Sequence, residues 1–268
     1  MGSPLGVADL VAGFRALGVR PGDDLLVHSS LSSLGFVEGG ASAVCEALVR
    51  AVSPGGTVCC PTITGSRSYS PSNPPRFSPE DPCWTGAIPE AMRHRPDAVR
   101  SLHPTHSVAC VGPRARELTA GHELSETPCG EDSPYMRLAR SGGRILFIGC
   151  DFSSNTTLHS VEELAGVGYV CQASPVEAVI IDPAVGERTV RIRIHLYGPK
   201  RAFRKVEGLL EAAGVLRRGT VGAAECILVE AGPMVELVLA ELARDPEYLL
   251  AGSERGRGWS EARRNAED

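Results

Sequence analysis

The chain has 268 residues, of which 43% are hydrophobic and 22% charged, enough apolar content for a sizeable core in one large α/β domain or two small ones. Its net charge is −5 and it carries no basic stripe with interleaved aromatics, which excludes a nucleic-acid surface; no apolar stretch approaches the ~18–20 residues that span a bilayer. The N-terminus lacks a basic segment followed by an apolar core, so no signal peptide is expected and the cytoplasm is the expected compartment.

Residues 7–18 carry apolar side chains at helical spacing and end at Gly18, a helix C-cap. After the Pro21-Gly22-Asp23-Asp24 turn, Leu25 to His28 reads as a buried strand, Ser29 to Gly40 as a loop of mostly small residues, and Ala41 to Val52 as a helix. A Ser- and Gly-rich loop between a strand and a helix presents backbone N–H groups near a positive helix end, which suits phosphates and other anions. The loop is neither a Walker A loop nor G-x-G-x-x-G, and a plain tight connection is the competing reading. Thr57 to Thr62 is a second strand. The stretch from Gly65 to Trp84 is rich in Ser, Pro and Asn, with Arg67, Tyr69, Arg76 and Phe77 spaced through it. At that length a loop in a compact domain is usually functional or disordered, and the aromatics and arginines favour a flap over substrate as against simple disorder.

A helix from Ile88 to His94 precedes His103-Pro104-Thr105-His106. Proline disfavours helix at the residue before it, so both histidines are expected on a loop at a strand entrance. There H-x-x-H makes a poor metal site, and one ring is expected to position substrate or move a proton. Arg114 to Thr119 is a short helix, and Ser133-Pro134 opens the helix Tyr135 to Ser141 with Pro at its first position. Ile145 to Ile148 is a buried strand ended by Gly149. Asp151 to Thr157 is a polar loop whose last five residues are all able to cap a helix.

The helix that follows sets His159 three and four residues from Glu162 and Glu163, so that either carboxylate can meet the imidazole. A histidine held by a carboxylate at the end of a buried strand is the layout of a general base; a solvated surface pair is the competing reading. Pro175 to Ile181 and Glu187 to Leu196 form a β-hairpin by their period-two alternation. Phe203 to Ala213 is an amphipathic helix, Val221 to Leu228 a strand, and Pro233 to Arg244 a helix. Residues 252–268 are polar and read as a tail outside a single domain at 1–251. The nine cysteines are odd in number and contain no C-x-x-C pair, so neither a disulfide framework nor a metal site is expected.

Three segments, L-V-H-S-S-L-S-S-L-G-F-V-E-G-G at 26–40, H-P-T-H-S-V-A-C-V-G at 103–112, and S-P-Y-M-R-L at 133–138 leading to N-T-T-L-H-S-V-E-E-L-A-G at 155–166, occur in an order and spacing that resembles the aminoglycoside 3-N-acetyltransferase family. The resemblance covers roughly residues 8–245. It implies a three-layer α/β/α sandwich of the antibiotic acetyltransferase type, with a C-terminal β-hairpin and helix portion. It also implies transfer of an acetyl group from acetyl-CoA to the 3-amino group of 2-deoxystreptamine, with acetyl-CoA as cosubstrate, no metal, and a monomer or homodimer.

Carried over residue by residue, the resemblance puts CoA contacts at His28, Ser29, Ser30, Leu31 and Ser32, with Thr62 and Ser133 as further candidates. It makes His159 the general base for direct attack by the amine, fixed by Glu162, with His106 beside them. His103, Asp151 and Glu163, the last of which lies outside the shared L-H-x-x-E pattern, are the acceptor-side candidates. One departure bears on the acceptor. Many members carry an acidic segment after the hairpin, whereas this chain has Lys200, Arg201, Arg204 and Lys205. Basic residues there would repel a polycationic sugar, which makes the same chemistry on another small amine the alternative. A Ser-His-acid hydrolase lacks its G-x-S-x-G elbow here, and a non-catalytic CoA-binding protein would have no use for His159 with Glu162.

Overall fold

The computed structural model describes residues 4–70, 72–183 and 186–259. Helix α1 (Val7–Leu17) stops at Gly18, whose φ of 115° lets the chain turn back. Strand β1 (Asp24–Ser29), helix α2 (Gly40–Val52) and strand β2 (Thr57–Pro61) follow. Next come β3 (Arg76–Phe77), α3 (Ala87–Arg93), β4 (Val99–Arg100), β5 (Val108–Val111), α4 (Ala115–Thr119), α5 (Pro134–Arg140), β6 (Arg144–Ile148) and α6 (Thr157–Leu164). The remainder is β7 (Val176–Asp182), β8 (Gly186–Ile192), α7 (Val206–Ala212), β9 (Leu216–Val221), β10 (Ala224–Glu230) and α8 (Ala231–Arg244). None of the described helices is long and apolar enough to cross a membrane.

Seven strands form one sheet in the order β4-β5-β2-β1-β6-β10-β9, with β1 parallel to both β2 and β6 and the outer pairs antiparallel. The central strands carry apolar runs, at 25–27 and 145–148, because both of their faces are covered. Leu26, Cys59, Ile145, Phe147, Ile227 and Val229 face a core shared with α4 to α8. The alternate residues Leu25, Val27, Val58, Leu146, Ile148 and Leu228 face a second core shared with α1, α2 and α3. Two cores on opposite faces of one sheet make the three-layer α/β/α sandwich that the resemblance implied. Because β1 is flanked by parallel strands, the ends of β1, β2 and β6 open on the same edge, where open α/β sheets place their ligands.

Three local expectations are corrected. The strand expected from Val221 to Leu228 is a hairpin of β9 and β10, turned at Gly222 with φ 57°; the polar surface of β9 hid its strand character. The hairpin arm expected to reach Leu196 ends at Ile192, and its last residues cross to Cys171 through a single bridge at His195. A disulfide joins Cys59 to Cys110, which the odd cysteine count and the scattered spacing had argued against. These cysteines are 51 residues apart in sequence, but the antiparallel β2–β5 register sets them opposite each other with Cα atoms 4.1 Å apart.

Within the long flap, β3 adds to the β7–β8 hairpin as a small separate sheet, with Phe77 fully buried under the Arg100 guanidinium. Arg100 also donates to the Pro79 and Asp81 carbonyls, and Trp84 Nε1 donates to the Gly65 carbonyl at 2.8 Å, so both ends of the flap are tied down. Of the stretch expected as a tail, residues 252–259 pack on the body through Glu254 and Trp259; residues 260–268 lie outside the described residues.

Candidate active site

The chain leaves β6 at Gly149, and the Asp151 carboxylate accepts the Ser153 N–H at 2.8 Å to start a 3-10 turn at Phe152–Ser154. Asn155 Oδ1 then accepts the Thr157 N–H at 3.1 Å and opens α6. On that helix the Glu162 carboxylate is fully buried, and its Oε2 lies 2.7 Å from His159 Nδ1. Its Oε1 lies 3.2 Å from Arg201 Nε. The rest of the Arg201 guanidinium donates to the carbonyls of Leu196, Pro199 and Tyr169. Burial alone would raise the Glu162 carboxyl, but the charge of Arg201 and the hydrogen bond from His159 outweigh it and hold the group below the usual carboxylate range. An ionised Glu162 can only accept, so His159 Nδ1 donates, and in the neutral imidazole the lone pair is then on Nε2.

His159 lies on the wall of a cavity of about 380 Å³ together with His28, Ser29, Trp84, His106, Ser153 to Thr156, His195 and Tyr197. Ser29 also borders a second hollow of about 570 Å³ that runs over Ser30, Leu31, Ser32, Phe36, Gly40 and Ala87. The N-terminus of α2 opens into this groove without a side-chain cap, since Gly39 precedes it. His28 stacks on Phe147 with ring centres 5.2 Å apart, and burial pushes its imidazole down to about 3.

His195 was missed in the sequence because it follows a hairpin and belongs to no motif. Its ring centre is 4.9 Å from that of His159 and 4.5 Å from that of His106. Its Nε2 lies 2.5 Å from Glu163 Oε1, which also accepts the Cys129 N–H at 3.0 Å. Burial pushes the Glu163 carboxyl up to about 7 and both the His195 and His106 imidazoles well below their ordinary value.

The structure therefore brings His159, Glu162, His106, His28 and residues 29–32 together, and it separates others that the resemblance had grouped with them. His103 is fully buried behind His106, where its Nδ1 accepts the N–H groups of Thr105 and His106 at 3.2 Å; it caps a turn and does not reach the cavity. Asp151 faces Arg204, 3.4 Å away, and Glu163 borders a different groove, so neither lines the acceptor cavity. Thr62 is buried among Ser107 and Arg100, and Ser133 is consumed as the cap of α5, so neither lines the groove. The basic residues at 200–205 do not form one repelling face. Arg201 turns inward to Glu162, Arg204 meets Asp151, and Lys205 donates to the Tyr248 carbonyl at 2.7 Å.

Two hollows that meet at Ser29, only one of them with an acid-backed imidazole on its wall, are what an enzyme joining two small molecules needs. Comparison with known proteins narrows that class to an acyltransferase. The pattern of the aminoglycoside 3-N-acetyltransferase family matches residues 26–243. The chain is 35% identical to aminoglycoside N(3)-acetyltransferase VII of Streptomyces paromomycinus, over 93% of each sequence. Among solved structures it is similar to a mutant of aminoglycoside acetyltransferase AAC(3)-IVa in complex with a gentamicin, with a TM-score of 0.81 and 29% identity over 99% of this chain and 98% of that one. It is also similar to AAC-IIIb in a binary complex with CoASH, with a TM-score of 0.80 and 28% identity over 90% of this chain and 97% of that one. The chain belongs to the aminoglycoside 3-N-acetyltransferase family.

Proposed function

We propose that the protein transfers the acetyl group of acetyl-CoA, in the cytoplasm, to the 3-amino group of the 2-deoxystreptamine ring of an aminoglycoside, with His159 as general base. The observation that carries this reading is the chain Arg201–Glu162–His159, which ends in a free Nε2 at a cavity wall. An aminoglycoside amine is protonated at neutral pH, and a neutral amine still has to shed a proton as it attacks a thioester. His159 Nε2 takes that proton while the amine nitrogen bonds to the thioester carbonyl carbon. As the tetrahedral adduct collapses, the C–S bond breaks and the proton passes from the imidazolium to the CoA thiolate. Glu162 stays ionised throughout, fixing the tautomer and balancing the transient imidazolium. No acyl-enzyme is needed, because both substrates are present together. Residues 29–32 and the start of α2 take the CoA side, where backbone N–H groups at a helix start suit its phosphates.

A second reading concerns the acceptor alone. Among the described residues no Asp or Glu lines the cavity, and Glu162 is fully buried and bonded to His159. A polycation gains little from such walls, which favours an amine bearing fewer charges. Both readings are tested by following CoA thiol release from acetyl-CoA over a panel of 2-deoxystreptamine aminoglycosides and simple amines, with the acetylated position read by NMR. An amide at the 3-amino group supports the first reading, and turnover confined to simple amines supports the second. Thiol release that needs no amine contradicts both.

A further inference from the structure

Behind the wall of the acceptor cavity, side chains from distant parts of the chain converge without any sequence spacing to announce them. His106 precedes β5, Cys129 lies in the segment before α5, and His195 follows β8. Each offers one donor atom, and these atoms all lie within 4.8 Å of one another. Glu163, Cys171 and His195 meet the same limit, so His195 belongs to both groups. We propose that His106, Cys129 and His195, with Glu163 as the adjoining carboxylate, form a binding site for a divalent zinc-type cation beside the reaction cavity.

The ligand chemistry selects the class of ion. One thiol with two imidazoles suits Zn²⁺ and its neighbours rather than Mg²⁺ or Ca²⁺, which favour all-oxygen shells. With Zn–N near 2.0–2.1 Å and Zn–S near 2.3 Å, tetrahedral ligands sit about 3.3–3.8 Å apart. Donor atoms within 4.8 Å come into range by side-chain adjustments on the order of 1 Å. Ligation takes neutral imidazoles and a deprotonated Cys129 thiol. A bound cation would displace the thiol proton to solvent as it forms the metal–sulfur bond.

The surrounding contacts are those of an oriented site. Thr105 Oγ1 lies 2.9 Å from His106 Nδ1, so Nε2 is the nitrogen that ring has to offer. The Glu163 carboxyl group is fixed by the Cys129 N–H at 3.0 Å and contacts His195 at 2.5 Å, placing its oxygens against two of the three ligands. The site also has access. His106 and His195 border the acceptor cavity, while Glu163 and Cys171 border a separate groove of about 400 Å³. Conventional cysteine spacing is absent from the sequence because these ligands are brought together only by the tertiary fold.

Titration of the chelator-treated protein with Co²⁺ tests the proposal independently of any acetyl transfer. The expected result is one equivalent bound, with thiolate-to-cobalt charge transfer and the intense visible bands of a four-coordinate ion, all displaced by one equivalent of Zn²⁺. Cys129→Ser is expected to abolish the charge-transfer band and weaken Zn²⁺ binding by about 100-fold or more, whereas His94→Ala leaves both unchanged. X-ray absorption at the zinc edge of the wild-type protein serves as a check that needs no variant, and is expected to show sulfur near 2.3 Å with imidazole nitrogen near 2.0 Å. An oxygen-only shell, or a cobalt spectrum and affinity unaltered in Cys129→Ser, would overturn the assignment.

Discussion

Glu162 and Glu163 are neighbours on one helix, both have buried carboxylates, and each is bonded to a histidine, yet they sit on opposite sides of the carboxylate range. Glu162 is held below its ordinary value, whereas Glu163 is pushed up to about 7. Burial raises both. The difference is Arg201, whose guanidinium lies 3.2 Å from Glu162. Burial alone makes a carboxyl reluctant to ionise, and one well-bonded cation reverses that. The two histidines beside them differ in exposure. Both line the same cavity, but the His159 side chain is 27% exposed there while that of His195 is only 6% exposed, and burial pushes the His195 imidazole down.

The largest effect should come from removing the open imidazole. His159→Ala is expected to lower kcat by ~10²–10⁴ while calorimetry shows CoA affinity close to wild type; an unchanged rate would remove His159 from the mechanism. Taking away the cation that separates the two glutamates comes next. Arg201→Met leaves Glu162 buried without its partner and should cost about 3–5 kcal/mol of folding stability by urea denaturation, whereas Arg201→Lys, which keeps the charge, should lose less. If both variants matched wild type, the contrast between the glutamates would rest on something other than Arg201.

Acidification should act through the enclosed histidines. His28 and His122 are held down to about 3 by burial, whereas an unfolded chain's histidines take up protons near pH ~6.5. The unfolded state therefore binds more protons between those values. Stability is expected to be full above about pH 6.5 and to fall with decreasing pH, by up to about 1.4 kcal/mol per pH unit for each such histidine. Urea midpoints measured from pH 8 down to pH 4 would show this slope, and a flat profile would mean that these rings are not held neutral. The smallest effect is expected at the second glutamate. Glu163→Gln replaces a carboxyl of raised pKa with a neutral isostere and should change kcat by less than about tenfold, under about 1.4 kcal/mol of barrier. A loss as large as that of His159→Ala would place Glu163 in the reaction itself.

Much of the fold was legible because the apolar runs at 25–28, 57–62 and 145–148 are short, continuous and bounded by turn residues. That is how strands buried on both faces read. Helical spacing left Glu162 and Glu163 as equal partners for His159, and the family resemblance singled out Glu162, the one that bonds to it. What stayed hidden is tertiary. His195 arrives from the end of a hairpin, and Arg201 sits in a run of basic residues read as repelling a polycationic acceptor while its guanidinium is bonded inward to Glu162. Cys59 and Cys110 meet only through strand register. Thr62, Ser133, Asp151 and His103 sit in the right motifs, but their hydrogen bonds are spent on a buried network, a helix cap, a turn and another turn. A motif marks a neighbourhood and does not say which of its side chains faces the hollow.

The account depends most directly on where the proton of His159 resides. Nitrogen-15 NMR of the histidine rings at about pH 8, assigned by comparison with His159→Gln, reads it without any turnover. The expected spectrum has a proton on Nδ1, hydrogen-bonded to Glu162, and a bare Nε2 able to accept the proton of an attacking amine. A proton found on Nε2 instead would leave His159 nothing with which to act as a base, and the proposed mechanism would fail.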